Sequence, residues 1–169
     1  MRFVDELKQA YENEKKRIEE QAIAQQNREL ETFSAEVYEV IRSDSMHKAK
    51  TGRTHTEGFV AVDHHGLRSD PQHYENLPTV ARLDSDGLFT WNDGGECSAL
   101  TTTEKYCDEI IEAVSELLRK DGFVNFTLSR CPCYQKKKVY RKHFLSPDTT
   151  ELIDTNNFLG YIINYSLSW

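Results

Sequence analysis

The sequence is poor in the residues that staple a protein together or carry it through a membrane. It has four cysteines among 169 residues, too few for the disulfide framework of a small secreted scaffold. Cys131 and Cys133 are separated by Pro132 alone, too close for a relaxed bridge. With Cys97 and Cys107 they read as reduced thiols. No apolar run approaches the roughly 20 residues that span a bilayer. The opening stretch, MRFVDELKQAYENEKK, is charged at once and has no signal-peptide core. These absences predict a cytoplasmic protein with no membrane contact. Also missing are a Gly-x-Ser-x-Gly elbow, a phosphate-binding P-loop and a dinucleotide fingerprint. The sequence therefore declares no catalytic residue and implies no cofactor.

What is present fits one folded domain. Hydrophobic residues make up 38% and charged residues 29%, proportions of an ordinary globular chain. The net charge of −7 is unevenly spread. Residues 37–118 carry −8 and residues 119–143 carry +7. A basic island in an acidic protein suits local contact with a phosphate backbone or an acidic protein surface. The acidic remainder argues against general wrapping of nucleic acid.

Residues 2–32 contain neither glycine nor proline and are rich in Glu, Lys, Gln and Ala, which favours helix. Their apolar positions, Phe3, Leu7, Tyr11 and Ile18, make a stripe too thin for a core helix. The segment 1–33 is therefore expected as a helical arm: projecting, lying along the domain, or paired in a homodimer. A kink at TFSAE is expected, with Ser34 capping a second helix over 35–50. The domain proper, 34–169, then reads as strand 58–63, a hairpin of strands 79–83 and 88–92, and a loop DGGECSAL. A helix over 103–120 follows, with Thr101 and Glu104 in capping-box spacing. Its apolar face, Cys107, Ile110, Ile111, Val114, Leu117 and Leu118, makes it the most buried element. FVNFTLS, KVYRKHFL and GYIINYSLSW complete the chain as strands. The order predicts an α+β fold of two α-β-β-β units behind the arm, with mainly antiparallel sheet.

The stretch SRCPCYQKKKVYRKHF holds the main candidate site. Read as a metal centre, it offers Cys131, Cys133 and His143 with Cys97 or Cys107 as a fourth ligand. The common structural zinc spacing puts two or more residues between paired cysteines, and here there is one. Read as a contact surface, it offers Lys136, Lys137, Lys138, Arg141 and Lys142 to phosphates or acidic groups, with Tyr134, Tyr140 and Phe144 able to stack on unpaired bases. The expected form is a hairpin with the lysines near its tip and no structural metal.

Three resemblances bear on function. GFVAVDHHGL resembles the strand-then-motif signature of the DHH phosphoesterases, which bind manganese and hydrolyse phosphodiesters. That would make Asp63, His64 and His65 metal ligands, with Asp84, Asp86 or His73 assisting. The family's other metal-binding aspartates precede the motif, where this chain is helical. The α-β-β-β-α order of 35–120 resembles the double-stranded-RNA-binding domain, yet TTTEKYCDE stands where that family carries its lysine cluster. SELLRKDGFVNFTLS and YIINYSLSW resemble, in style, accessory and inhibitor proteins of phages and mobile elements, including anti-CRISPR proteins. That resemblance implies a non-enzymatic binding protein, in a host cytoplasm if phage-encoded, that engages a protein or nucleoprotein partner through charged surfaces. The alternative is a small metal-dependent phosphoesterase using Asp63, His64 and His65.

Overall fold

The computed structural model describes residues 2–63, 80–83, 90–91, 96–98 and 101–169. Helix α1, Phe3–Lys50, is one unbroken helix of 48 residues. No glycine or proline precedes Gly52, and intrahelical ion pairs line the surface, among them Glu14 with Arg17 and Glu39 with Arg42. Asp5 and Glu6 in the first turn and His47, Lys48 and Lys50 in the last oppose the helix dipole favourably. The expected kink is absent. Ser34 lies within the helix and is buried. A buried small residue at mid-helix lets α1 approach the second helix, α2 (Glu104–Lys120), and propagation then outweighs capping.

Strands β1 (His55–Val62), β2 (Val80–Leu83), β3 (Thr90–Trp91) and β4 (Glu96–Ser98) precede helix α2 (Glu104–Lys120). Two long strands follow, β5 (Asn125–Arg141) and β6 (Thr149–Ser168). All pair antiparallel in the order β2-β1-β6-β5-β4-β3. The fold is α+β, as the sequence pattern predicts, with differences in connectivity. The expected hairpin of 79–83 with 88–92 does not form. β2 pairs with β1, while β3 pairs with β4 at the opposite edge. The stretch read as a loop contributes β4. The strands expected at FVNFTLS and KVYRKHFL are one strand, so the second unit supplies two strands rather than three.

The core lies where both helices cross the sheet. Val37 and Ile41 of α1 and Tyr106, Cys107, Ile110, Val114 and Leu118 of α2 bury against Val60, Val62, Ile163, Tyr165 and Leu167. The period-2 alternation of β6 is obeyed: Asn164 and Ser166 are exposed on the other face. Ile162 departs from it. It packs with Ala61, Leu83 and Cys133 in a second cluster on that face. Helix α2 begins two residues later than the capping-box reading. Thr103 is its N-cap and accepts from the Tyr106 N–H, while Thr101 is buried and donates to the Leu159 carbonyl. Its end follows expectation. Gly122 adopts φ +90, and the Phe123 N–H reaches back to the Leu118 carbonyl at 3.1 Å, the 6→1 bond of a Schellman stop. Tyr38 of α1 donates to Asp121 there, tying the two helices together. Among the described residues no helix is long and apolar enough to cross a membrane.

Two tests follow from this core. Val114 is fully buried, so Val114→Asp should cost several kcal/mol, about 3 or more. The check is urea denaturation of whatever soluble protein remains; wild-type stability would show that α2 is not the core helix. Residues 2–28 are exposed, whereas Leu30 and Phe33 pack on the core. A chain beginning at residue 29 should therefore keep a cooperative thermal melt, and loss of that melt would place the arm within the folding unit.

Candidate functional site

Two features stand apart from the apolar core: a saturated polar cluster within it and a two-stranded ribbon that outruns it.

The cluster is centred on Asp44, 8% exposed in α1. Its Oδ2 accepts from the Thr56 hydroxyl of β1 at 2.5 Å and from the Tyr165 hydroxyl of β6 at 2.7 Å. Arg82 of β2 places Nε 3.1 Å from Asp44 Oδ1 and also donates to the Tyr165 hydroxyl at 3.0 Å. Gly58 makes room for this: a Cβ there would lie 2.7 Å from the Tyr165 hydroxyl. Burial alone raises the Asp44 pKa, but the bonds from Thr56, Tyr165 and Arg82 outweigh it and hold the carboxyl below its ordinary range. Burial, then the bond to Asp44, pushes the Tyr165 phenol well up. The phenol thus stays protonated and the carboxylate charged. Every partner is already engaged, so the cluster is built to hold elements together. The sign of its pH dependence follows. A carboxyl whose pKa is lower folded than unfolded stabilises the fold above the ordinary carboxylate range. That stability is lost as pH falls through the unfolded and then the folded pKa. Asp44→Asn should cost about 2–4 kcal/mol at neutral pH, since it removes the charge that the Arg82 guanidinium and the Thr56 and Tyr165 hydroxyls converge on. It should also flatten the acid limb of stability against pH. An unchanged acid limb in urea melts between neutral pH and the acid range would remove Asp44 from this role.

The ribbon is built by β5 and β6, paired from Asn125↔Ser168 out to Arg141↔Thr149. β1 covers β6 only as far as Val60↔Ile163, and Thr102 takes the next place, exchanging both backbone bonds with Tyr161. Because Tyr161 spends its N–H and C=O on Thr102, its pairing with Pro132 carries no hydrogen bonds. Pro132 is therefore tolerated inside a strand, with its nitrogen turned to the far edge of β5. This is why the expected hairpin within SRCPCYQKKKVYRKHF is instead one strand: Pro132 makes no turn. The lysines stand mid-strand, with Lys136 level with Asp154, Lys137 with Ile153 and Lys138 with Leu152. The turn lies at 142–148. Register shifts at Cys133/Tyr134 and Tyr134/Lys136 add twist where the ribbon leaves the sheet. Thr155 donates to the Gln135 carbonyl at 2.7 Å and Asn157 to the Gln135 side chain at 2.6 Å, bracing that bend.

At the tip, Asp148 accepts from the Tyr140 hydroxyl and, at 3.2 Å, from the His143 N–H. The first of these bonds raises the Tyr140 pKa. His143 Nε2 lies 2.8 Å from the Thr149 hydroxyl, and Arg141 pairs with Glu151 at 2.9 Å. Phe144 and Leu145 are wholly exposed, at 102% and 97%.

The basic island is not one patch. Arg119 lies over the Phe126 ring at the end of α2. Arg130 binds Glu104 and Asp108 of α2 and stacks 5.4 Å from the Tyr161 ring. Lys136, Lys137, Lys138, Tyr140, Arg141 and Lys142 alone belong to the outer ribbon. An aromatic run continues from Tyr161 through Phe158 to Tyr134, with centroids 5.2 and 5.7 Å apart.

Among the described residues the metal candidates are not brought together. Cys131 and Cys133 pack in the apolar second cluster. His143 lies in the turn beyond β5, ten residues on from Cys133, with about eight residues of extended strand between Cys133 and the end of β5, roughly 26 Å at the rise of an extended chain. Cys107 is in the helix core, where burial pushes its thiol up to about 12. Asp63 closes β1 and is buried. His64, His65, His73, Asp84 and Asp86 lie outside the described residues, and so do the last four residues of the DHH-like stretch. Among the described residues no group of three or more His, Cys, Asp or Glu could hold a metal ion. Sequence reasoning missed Asp44, Arg82 and Tyr165 as a unit, and Leu145, Asp148 and Phe158 as ribbon residues. The missed signal was a polar residue, Asp44, at helical spacing from Val37 and Ile41. Comparison of the chain with protein-family models, with curated proteins and with solved structures finds no match.

Proposed function

We propose that the protein is a non-enzymatic binding protein whose outer β5–β6 ribbon engages an anionic surface on a protein or nucleoprotein partner. The observation that carries this reading is the ribbon itself. Beyond the bend its strands and turn hold five basic and three acidic residues within a chain of net −7. It ends in the exposed pair Phe144 and Leu145. Several lysines acting together steer a polyanion and give a steep salt dependence, and an exposed apolar tip adds contact area that solvent disfavours. The sequence-style resemblance to phage and mobile-element accessory proteins supports reading the binding as inhibitory and intracellular. The acidic span 37–118 is then the surface that keeps the rest of the molecule off nucleic acid.

The test is retention on a heparin matrix across a salt gradient. Wild type should be held at low salt. Lys136→Glu, Lys137→Glu and Lys138→Glu together should weaken binding about tenfold or more, ~1.4 kcal/mol, with the melting temperature nearly unchanged. Equal elution of the two proteins would make the lysines a solvated segment and move the candidate surface to the acidic span.

A further inference from the structure

β5 has a bare edge. β4 pairs with it only at Lys136 and Lys137, while Asn125 through Cys133 pair with β6 in unbroken register. Because Pro132 faces Tyr161 without hydrogen bonds, alternation leaves Arg130, Leu128 and Phe126 without bonds to β6 as well. Their N–H and C=O groups point out of the sheet, and nothing among the described residues takes them up. Thr127 and Ser129 between them are exposed. Strand edges in monomers are blunted by lysines, prolines or bulges. Residues 121–131 hold no lysine or proline, and the first blunting residue is Pro132.

The bare stretch fits itself. Lay β5 antiparallel on the β5 of a second copy with Leu128 opposite Leu128. Phe126 then meets the second copy's Arg130, and each such pair exchanges two backbone bonds. Thr127 meets Ser129 on the face away from the helices, small and uncharged on both sides. Pro132, which has no N–H to give, falls beyond the last pair. The two-fold axis stands perpendicular to the sheet, so both copies keep their helices on one side.

The helices agree with this register. α2 lies over β5 and β6, and Glu104, Asp108, Ile111, Ser115 and Arg119 share one flank of it at helical spacing. From that flank Glu104 and Asp108 reach Arg130, and Arg119 reaches the Phe126 ring, so it looks toward the bare edge. With strands about 4.8 Å apart, two such helices stand roughly 10 Å apart, a helix-packing distance. Phe126 opposite the second copy's Arg130 brings Arg119 to the second copy's Glu104 and Asp108. Arg119 has no ion pair among the described residues, whereas those two carboxylates share one arginine. At each end of the interface two guanidinium groups then meet two carboxylates. A foreign strand would supply the backbone bonds but not this exchange.

We propose that β5 pairs antiparallel with the β5 of a second copy about Leu128, forming a homodimer whose sheet runs on through the interface. This does not rest on the ribbon reading, and the two fail separately.

Sedimentation equilibrium and amide hydrogen exchange of the full chain test it. Wild type should dimerise reversibly, and the Phe126, Leu128 and Arg130 amides should exchange at least about tenfold more slowly in the dimer than in the monomer. Thr127→Lys with Ser129→Lys sets like charges opposite each other twice and should raise the dissociation constant about tenfold or more. Thr127→Lys with Ser129→Glu sets opposite charges there and should return it to within about threefold of wild type. Both positions are exposed, and a thermal melt checks that each variant folds; the wild-type exchange data decide alone if one does not. A wild-type monomer at the highest concentration reached overturns the proposal. So does a dimer whose three amides exchange as in the monomer, a like-charge variant that dimerises like wild type, or an opposite-charge variant that stays monomeric.

Discussion

One carboxylate joins four elements of this fold. Asp44 comes from α1, and its partners Thr56, Arg82 and Tyr165 come from β1, β2 and β6. Apolar packing is non-directional and tolerates sliding of a helix over a sheet. A buried charge with three donors does not, because displacement leaves it desolvated and unpaired. The cluster therefore fixes the registry of α1 on the sheet, while Val37, Ile41 and the apolar face of α2 supply the bulk of the stabilisation. β2 is short and sits at the sheet edge. Arg82 ties it to α1 and β6, in addition to Val80 and Leu83 in the apolar clusters and its ladder with β1.

What could be read from the sequence were the elements whose signal is local. The periodicity of Cys107, Ile110, Val114 and Leu118 marked α2, and the alternation of Ile163, Tyr165 and Leu167 marked β6. Gly122 marked a helix end. Pairing was not legible, because it depends on partners far away in sequence. β2 and β3 look like a hairpin across DSDG, yet each found its partner elsewhere. Pro132 looked like a turn because a proline removes a donor. In the structure it stands where none is required, and that depended on Thr102 occupying Tyr161. Ser34 looked like a cap because serine competes for backbone groups, but α1 continued through it. Of the candidate site, the basic residues were visible and their division was not. Arg130 is drawn off by Glu104 and Asp108, a contact that requires α2 to lie over β5.

The helix and the two long strands share a property. Each is anchored at one end in the core and runs on beyond it. α1 is secured from Leu30 onward, so the exposed turns before that propagate from a nucleus already formed and do not bear the cost of starting a helix alone. β5 and β6 are secured by β1, α1 and α2 near Tyr165, and the outer ribbon continues their ladder past the bend at Gln135. In both cases cooperativity extends an element that would be marginal in isolation.

That arrangement separates stability from recognition. Residues of the arm and of the ribbon tip contribute little burial, so changes there shift the folding equilibrium by small amounts, as exposed positions generally do. The same residues have the apolar and charged groups most accessible to a partner. The exposed arm is about 40 Å long at helical rise. Because it is one continuous helix with Leu30 and Phe33 packed on the core, a contact made along it is passed directly to the folded body.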